Sequence, residues 1–476
     1  RRRRQRLSGL LRGRRVLGLL LDRLRHCRLQ RGLAHLALGR MRDPGLRAER
    51  VVLAQHGRVV QRRLQARRLG ELHGGKKKKE SVGGLMKSLK VLRSHFGQVH
   101  VNFGEPIKLV DYLDSHREGW RNEELSVHET PDWFKTTINN LGRDVVTGIN
   151  AAAVANPVNL ISLALLATPK HTMDLQQLRQ QLQLYINLLD QAPYSDTARL
   201  AENDPDVIIE YGLEHEFLIR VAHPLGDVVT TDPKTALQMA YVRNNSLHLF
   251  VLPGLICSLF LNARSIRMDM LQSMIALLYP FFRNEYLLHW REDGELPAAV
   301  ERIASVLEEH GLVSREDDCL HGAAIHTYAS DMLAHLGQTV MPSLERFYLT
   351  IRLLVQYGSG RLDADALSDL AHHTAQRLSL LYEFNSPEFF DKVVLRNFIN
   401  QLRDTDLVWQ DDDKALCFGD NLRALDDEAR RILSPDISQA IQRVTRVPEL
   451  ERALAETAEH DAQDDGNTAK GTEADK

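Results

Sequence analysis

Residues 249–261 read Leu-Phe-Val-Leu-Pro-Gly-Leu-Ile-Cys-Ser-Leu-Phe-Leu and are almost entirely apolar. A membrane-spanning helix needs about 20 such residues, and this stretch is shorter and is interrupted by Pro253-Gly254. Residues 148–167 are long enough, but they contain three asparagines and a proline, each costly in hydrocarbon without a partner. We therefore interpret both stretches as buried core helices, with an interfacial or re-entrant membrane contact as the alternative.

Helical periodicity continues outward from this stretch over most of the sequence after residue 130. Helical runs are predicted at residues 131–155, 157–167, 173–189, 234–262, 267–289, 297–310, 326–356, 363–380 and 387–403. Upstream, residues 85–94 show helical spacing of leucines, and residues 98–103 alternate as a strand. The strand is expected to end at Gly104-Glu105-Pro106, because proline cannot donate to a sheet.

A degenerate repeat recurs roughly every 95–100 residues. Each copy opens a helix with an Asp in or near its first turn, where a carboxylate favours the positive end of the helix dipole. The three openings are Met173-Asp174-Leu175, Met268-Asp269-Met270 and Leu362-Asp363-Ala364. A charged, hairpin-like segment follows about forty residues after each opening. The pattern predicts three related helical units, at about 131–262, 263–356 and 357–455, each with a small winged-helix-like hairpin; a chance match is the alternative.

The charges are divided unevenly along the chain, whose formal net charge is −2. Residues 1–79 contain 21 Arg and 4 Lys against 4 acidic residues, a net charge of +21, and the remaining residues sum to −23. Residues 1–95 also lack Phe, Tyr, Ile and Asn, whose codons are rich in A and T, as well as Trp and Thr. We interpret residues 1–70 as an anomalous segment read out of frame from a GC-rich gene. The alternative is a genuine disordered arm that binds anionic polymer or lipid.

The remaining composition excludes several classes of site. Cys27, Cys257, Cys319 and Cys417 form no C-x-x-C pair, which argues against a zinc ribbon or a redox dithiol. The sequence has no P-loop, dinucleotide-binding glycine motif, G-x-S-x-G elbow or H-E-x-x-H helix, so no cofactor and no metal site is predicted. Residues 456–476 contain no large apolar residue and are predicted to form a disordered acidic tail.

Several motifs resemble those of the bacterial membrane-associated glycerol-3-phosphate acyltransferases. They are Lys-Lys-Lys-Lys-Glu-Ser at 76–81, Phe-Gly-Gln-Val-His-Val-Asn-Phe-Gly-Glu-Pro-Ile at 96–107, Tyr-Val-Arg-Asn-Asn-Ser-Leu-His at 241–248, Val-Leu-Pro at 251–253, Leu-Tyr-Pro at 278–280, Gln-Arg-Leu-Ser at 376–379 and Pro-Glu-Phe-Phe-Asp-Lys at 387–392. They occur in the family's order over residues 69–435. The resemblance implies a mainly α fold, in which a large helical C-terminal region at 115–455 follows the remnant of an α/β acyltransferase domain at 71–114.

The implied reaction transfers an acyl group to the first hydroxyl of glycerol 3-phosphate, giving lysophosphatidate in phospholipid biosynthesis. In that family the His of a His-x4-Asp motif removes the hydroxyl proton, the Asp orients the imidazole, and arginines hold the substrate phosphate. The same spacing occurs here at His326–Asp331 and at His460–Asp465, neither at the family's position. No catalytic residue is therefore assigned, the substrate-binding residues stay open, and this chain alone is expected to be inactive.

The resemblance also implies the partners of the full-length enzyme. These are acyl-CoA or acyl carrier protein, glycerol 3-phosphate, a phospholipid surface at the cytoplasmic face of the inner membrane, and a second copy of the chain. Two alternatives of other classes are a winged-helix nucleic-acid-binding protein with an Arg-rich arm, and a non-catalytic membrane scaffold. The net acidity of residues 80–476 argues against the first, because a phosphate backbone repels it. No nucleic-acid partner is expected.

Overall fold

The computed structural model describes residues 50–52, 100–121, 131–292, 294–381 and 391–445. These residues are mainly helical, which confirms the predicted fold class. The helices are α1 (Leu109–His116), α2 (Asp132–Ala151), α3 (Pro157–Leu166), α4 (Leu175–Gln191), α5 (Pro205–Glu214), α6 (Pro233–Asn244), α7 (Val251–Leu259), α8 (Met268–Tyr286), α9 (Glu295–Glu309), α10 (Tyr328–Gln338), α11 (Met341–Tyr357), α12 (Ala364–Leu381), α13 (Lys392–Asp404), α14 (Asp420–Ile432) and α15 (Pro435–Val444).

Short strands lie between the helices in the described residues and pair with one another in sheets of two or three strands. They are β1 (Arg50–Val52), β2 (Asn102–Gly104), β3 (Val154–Ala155), β4 (Thr172–Asp174), β5 (Arg199–Leu200), β6 (Ile219–Val221), β7 (Val228–Thr230), β8 (Ser265–Arg267), β9 (Val313–Glu316), β10 (Cys319–Gly322), β11 (Val408–Gln410) and β12 (Leu416–Phe418). Strands β1 and β2 pair antiparallel, and β3 and β5 pair parallel.

Three units share the order helix, helix, hairpin, and in the first two a strand precedes the first helix. In the first unit β4, α4, α5 and the hairpin β6–β7 give the sheet order β4-β7-β6. In the second, β8, α8, α9 and β9–β10 give the equivalent order β8-β10-β9. In the third, Asp363 bridges to Ala415, and Leu416 N donates to Leu362 O at 2.7 Å beside the hairpin β11–β12. This is the winged-helix arrangement.

The Asp of each unit lies at the start of its first helix. Asp174 caps α4 by accepting from Gln176 N at 2.8 Å, and Asp363 accepts from Ala366 N at 2.7 Å before α12. Asp269 lies in the first turn of α8. A carboxylate satisfies amide groups that have no partner within the helix, so Asp174 and Asp363 fix where α4 and α12 begin, whereas Asp269 pairs with Arg267 instead of capping α8.

Two predicted helical runs are broken in the structure. The run 234–262 contains a short 3-10 turn between α6 and α7, and the run 326–356 is interrupted between α10 and α11. Pro253 and Pro342 lie in the first turns of α7 and α11. A proline has no amide hydrogen and disrupts a helix interior, whereas the first turn needs no such donor, so each proline starts a new helix.

The core is centred on α7, whose nine residues are all buried, and on α11. Helix α3 is also largely buried, as predicted for the apolar part of 148–167. A second, smaller core joins α1 to α2 through Leu113, Trp120, Phe134 and Leu141. Over the residues described, no helix combines the length and the apolar character needed to cross a membrane.

Several predictions lie outside the described residues. They are the helix at 85–94, the tail at 456–476, the pair His460–Asp465, and the anomalous segment 1–70 except for β1. The strand predicted at 98–103 is shorter in the described part, where β2 covers Asn102–Gly104.

Candidate functional site

Strand β2 meets the helical region at the C-terminal end of helix α2. The last carbonyl groups of a helix have no donor within that helix. Helix α2 has no basic residue in its last turn, and Ala152 rather than glycine follows it. Side chains from other segments donate to the carbonyl groups of residues 150–152, and we call them the junction cluster: Asn102, Ser195, Thr197 and His248.

The side chain of Asn102 joins two distant segments. Its Nδ2 atom donates to Ala152 O at 3.2 Å and to Thr197 O at 2.7 Å. The hydroxyl groups of Ser195 and Thr197 both donate to Ala151 O, the latter at 2.8 Å. The end of α2, the loop before β5 and strand β2 are thereby held together by side-chain hydrogen bonds.

His248 completes the cluster from the turn before α7. Its Nε2 lies 3.1 Å from Asn150 O, and because a carbonyl oxygen only accepts, Nε2 carries the proton. Burial lowers the pKa of His248 to about 4, and it also lowers the pKa of His289, whose Nε2 donates to Tyr194 O. The Tyr194 ring packs edge-on between the two imidazoles, with centroid distances of 5.2 and 4.5 Å. Both imidazoles are therefore neutral near pH 7 and act as positioned donors.

Asn150 extends the cluster to the end of helix α8. Its Nδ2 donates to Tyr286 O at 2.8 Å. The next residue, Leu287, has φ of 52°, a left-handed conformation that is unusual for leucine. The Tyr286 hydroxyl group in turn shares a 2.8 Å hydrogen bond with Ser343 Oγ on α11.

A buried ion pair lies beside this contact. The Arg346 side chain is 2 % exposed, and its Nη2 donates to Glu285 Oε1 at 2.5 Å and to Ser343 Oγ at 3.1 Å. Ser343 Oγ donates to the same carboxylate at 2.9 Å. A buried charge is tolerated when it is paired and hydrogen-bonded, so the pair fixes α11 against α8.

The neighbouring Glu345 is buried as well. Burial raises the pKa of its carboxyl group to about 8, although the charge of Arg346 opposes the rise. The carboxyl group is therefore mostly protonated at neutral pH. The hydrogen bonds of His248 and of the Glu285–Arg346 pair give this centre of the fold fixed contacts between helices, which suits a positioning role.

The pair predicted from the His-x4-Asp spacing is not brought together. His326 is exposed and has φ of 66° in the turn before α10. Asp331 is exposed in the first turn of α10, and its Oδ2 accepts from Gln177 Nε2 at 3.3 Å. Within the described ranges, no hydrogen bond or ion pair links His326 to Asp331.

The cysteines and acidic residues give no further site. Cys257 is buried, which raises the pKa of its thiol, and Cys319 and Cys417 are half-buried free thiols. In the part of the chain that the structure describes, no group of three His, Cys, Asp or Glu side chains is arranged to hold a metal ion.

Asn102 and His248 lie within family-like motifs that assign them no role, and Ser195, Glu285 and Arg346 lie in no motif. The signal for Arg346 was available, because a Glu-Arg pair interrupts a helix that is apolar on most of its surface. No local signal marks Ser195, since its partner is a backbone carbonyl 44 residues away.

The sequence model for the C-terminal region of glycerol-3-phosphate acyltransferases matches residues 69–411. The chain belongs to the glycerol-3-phosphate acyltransferase family. The resemblance seen in the motifs is thereby confirmed. The matched span contains the whole junction cluster and the Glu285–Arg346 pair.

Individual family members agree over most of this chain. The glycerol-3-phosphate acyltransferase of Pseudomonas entomophila (strain L48) is 38 % identical over 377 residues, which are 79 % of this chain and 45 % of the relative. That of Pseudomonas paraeruginosa (strain DSM 24068 / PA7) is 39 % identical over 390 residues, which are 82 % of this chain and 47 % of the relative. The chain thus spans about half the length of the curated acyltransferases it matches.

Proposed function

We propose that this chain supplies the helical half of a glycerol-3-phosphate 1-O-acyltransferase. In the reaction the first hydroxyl oxygen of glycerol 3-phosphate attacks the thioester carbonyl of acyl-CoA or acyl-carrier protein. The ester bond forms, the thioester bond breaks, and the hydroxyl proton leaves with the thiol. Membership of the family over residues 69–411 supports this proposal, as do relatives that bear the enzyme's name.

The role proposed for this half is to hold the end of the acyltransferase domain. The observation that carries it is the bidentate contact of Asn102, which joins β2 to segments 50 and 95 residues further along the chain. A strand fixed in this way gives the catalytic half a defined position against the helical units. The complete enzyme would act peripherally at the cytoplasmic face of the inner membrane, and self-association stays part of the proposal.

A chimera tests the proposal directly. The half of the Pseudomonas paraeruginosa relative that this chain does not match would be joined to residues 69–476. The chimera would be assayed with labelled glycerol 3-phosphate and palmitoyl-CoA for lysophosphatidate. We expect the chimera to be active and the 476-residue chain to be inactive. A folded but inactive chimera would contradict the proposal. If the isolated chain were active and His326→Ala abolished that activity, a catalytic pair would be present in this chain after all.

Nucleic-acid binding is not favoured by the three winged-helix units. The second helix of such a unit is the one that enters a groove. Here α5 contains three acidic residues and no Lys or Arg, and α9 contains four acidic residues and one Arg. Both helices would be repelled by phosphate. In the third unit, Lys392 and Arg396 of α13 pair with Asp369 and Asp365 of α12.

A further inference from the structure

The hairpins of the three units differ at their tips. We name them wing 1 (residues 219–230), wing 2 (residues 313–322) and wing 3 (residues 408–418). The tip of wing 2 contains Glu316-Asp317-Asp318, and that of wing 3 contains Asp411-Asp412-Asp413. The tip of wing 1 reads Ala-His-Pro-Leu-Gly-Asp at 222–227, and its single carboxylate, Asp227, is paired with Arg220. Wing 1 therefore carries fewer unpaired carboxylates at its tip than the other two wings.

Wing 1 exposes a large apolar side chain at its tip, whereas the exposed apolar side chain of wing 3, Trp409 at 53 %, lies on strand β11 and outside the acidic tip. Leu225 at the tip of wing 1 is 90 % exposed, and Ile219 and Val221 on β6 are 47 % and 48 % exposed. Ile219 and Val221 are two residues apart on a strand and therefore share one face. Single exposed apolar residues are common on protein surfaces, but here three occur within seven residues of one hairpin.

The tip of wing 1 is held in shape by local contacts. Arg220 Nε donates to Asp227 Oδ2 at 2.6 Å across the hairpin, which leaves the pair without net charge. Gly226 N donates to His223 O at 3.0 Å, and Leu225 N donates to His223 Nδ1 at 3.2 Å. Gly226 has φ of 129°, which only glycine adopts readily. Leu225 is thus presented to solvent by an ordered turn, so its binding costs little conformational entropy.

We propose that wing 1 inserts Leu225, with Ile219 and Val221 beside it, into the surface of a phospholipid bilayer. This inference rests on the proposed function, because the acylated product is an amphiphile that partitions into membranes. An anionic leaflet repels the acidic tips of wings 2 and 3 but not wing 1. Transfer of an exposed leucine from water into the acyl boundary is favourable. Wing 1 therefore sets which side of the helical region approaches the membrane.

Vesicle flotation with matched leucine variants tests the proposal. The full chain would be mixed with phosphatidylcholine vesicles in high salt, which screens the +21 charge of residues 1–79. Leu225→Ser should lower the partition coefficient about tenfold or more. Leu380→Ser is the control, because Leu380 on α12 is 88 % exposed but lies outside the wings, and it should leave partition unchanged.

A second readout reports insertion itself. In Leu225→Trp, vesicles should shift the indole emission to shorter wavelength, and brominated phosphatidylcholine should quench it; Leu380→Trp should show neither change. The proposal is overturned if the wild-type chain does not float with vesicles, or if both serine variants partition alike. It is also overturned if Leu225→Ser leaves vesicle binding unchanged but alters the sedimentation coefficient of the chain. That result would show that wing 1 contacts a second copy of the chain rather than a membrane. Neither readout depends on acyl transfer, so an inactive chimera would remove the proposed function and leave the vesicle result standing.

Discussion

Asn102 and Thr197 lie 95 residues apart, and the Asn102 amide group donates a 2.7 Å hydrogen bond to the Thr197 carbonyl oxygen. The same amide group donates to Ala152 O at the end of α2. Strand β2 has only three residues and pairs with one equally short strand. Its position against the helical region therefore depends on this side chain more than on sheet hydrogen bonds.

Replacement of Asn102 by aspartate should destabilise the protein. Asp has the same shape but presents acceptors to two carbonyl oxygens that have lost their donor. We expect Asn102→Asp to lower the free energy of unfolding by about 1–3 kcal/mol, measured by urea denaturation. Asn140→Asp, at an exposed position of α2, is the control and should change it far less. Equal effects of the two variants would contradict the role given to Asn102.

A glycine-to-alanine pair tests the packing of α7 against α10. A Cβ atom at Gly337 would lie 3.0 Å from the backbone N and Cα of Ser258, and backbone cannot move aside cheaply. A Cβ atom at Gly142 on α2 would meet nothing within 4 Å. Gly337→Ala should therefore destabilise by about 1–3 kcal/mol, whereas Gly142→Ala should stabilise by about 0.5–1 kcal/mol through helix propensity. Thermal unfolding of both variants checks the two opposite signs.

The Glu285–Arg346 pair should respond strongly to loss of one partner. Arg346→Met leaves a largely buried carboxylate without its cation, and we expect a loss of about 3–5 kcal/mol in unfolding free energy. The double variant Arg346→Met/Glu285→Gln should recover part of that loss. Arg430→Met, which breaks the exposed pair with Asp427, should cost at most about 1 kcal/mol. A double variant no more stable than Arg346→Met would show that packing, not charge, is responsible.

Acid should weaken the fold through His248. Its folded pKa of about 4 lies below the unfolded value of 6.5. Above the higher value both states are neutral, and as the pH falls the unfolded state binds the proton first. The stability advantage of the wild type over His248→Gln should thus shrink by about 3 kcal/mol between pH 7 and pH 4. Urea denaturation across that range measures it, and a constant difference would contradict a buried neutral imidazole.

Glu345 should make the protein less stable as the pH rises, the opposite of the effect expected for His248. Its folded pKa of about 8 lies above the ordinary value of 4.5, so the unfolded state loses its proton first as the pH rises. Stability from the neutral carboxyl group is complete below pH 4.5 and falls until pH 8. Relative to wild type, Glu345→Gln should gain on the order of 5 kcal/mol between these limits. Urea denaturation of both proteins across this range measures the difference, and a difference that stays constant with pH would contradict a buried neutral carboxyl group.

Much of the fold could be predicted because it depends on residue patterns that are local in sequence. The apolar residues 251–259 formed a buried helix, and the three Asp-initiated helices were each followed by a hairpin, since helix starts and periodicity depend on neighbours in sequence. The breaks at Pro253 and Pro342 were missed because the apolar pattern continues across both prolines. Proline alone does not decide such a break, because Pro280 lies inside the continuous helix α8.

The junction cluster could not be predicted in the same way. Asn102 and His248 could be recognised in the sequence only as members of motifs. Their hydrogen-bond acceptors are main-chain carbonyl groups, which every residue has, so no residue type marks the partner. The spacing at His326–Asp331 was visible in the sequence, but the structure places both residues at an exposed helix start without a hydrogen bond between them.

The sequence by itself determined the family, the mainly helical class and the division of charge along the chain, because these depend on residue types and short-range order. Only the tertiary structure decided that β2 is fixed to the end of α2, that Glu285 and Arg346 form a buried pair, and that wing 1 alone presents an apolar tip. The first two features are contacts between segments that are distant in sequence, and the third is the exposure of a side chain. Contacts and exposure both depend on how distant segments pack.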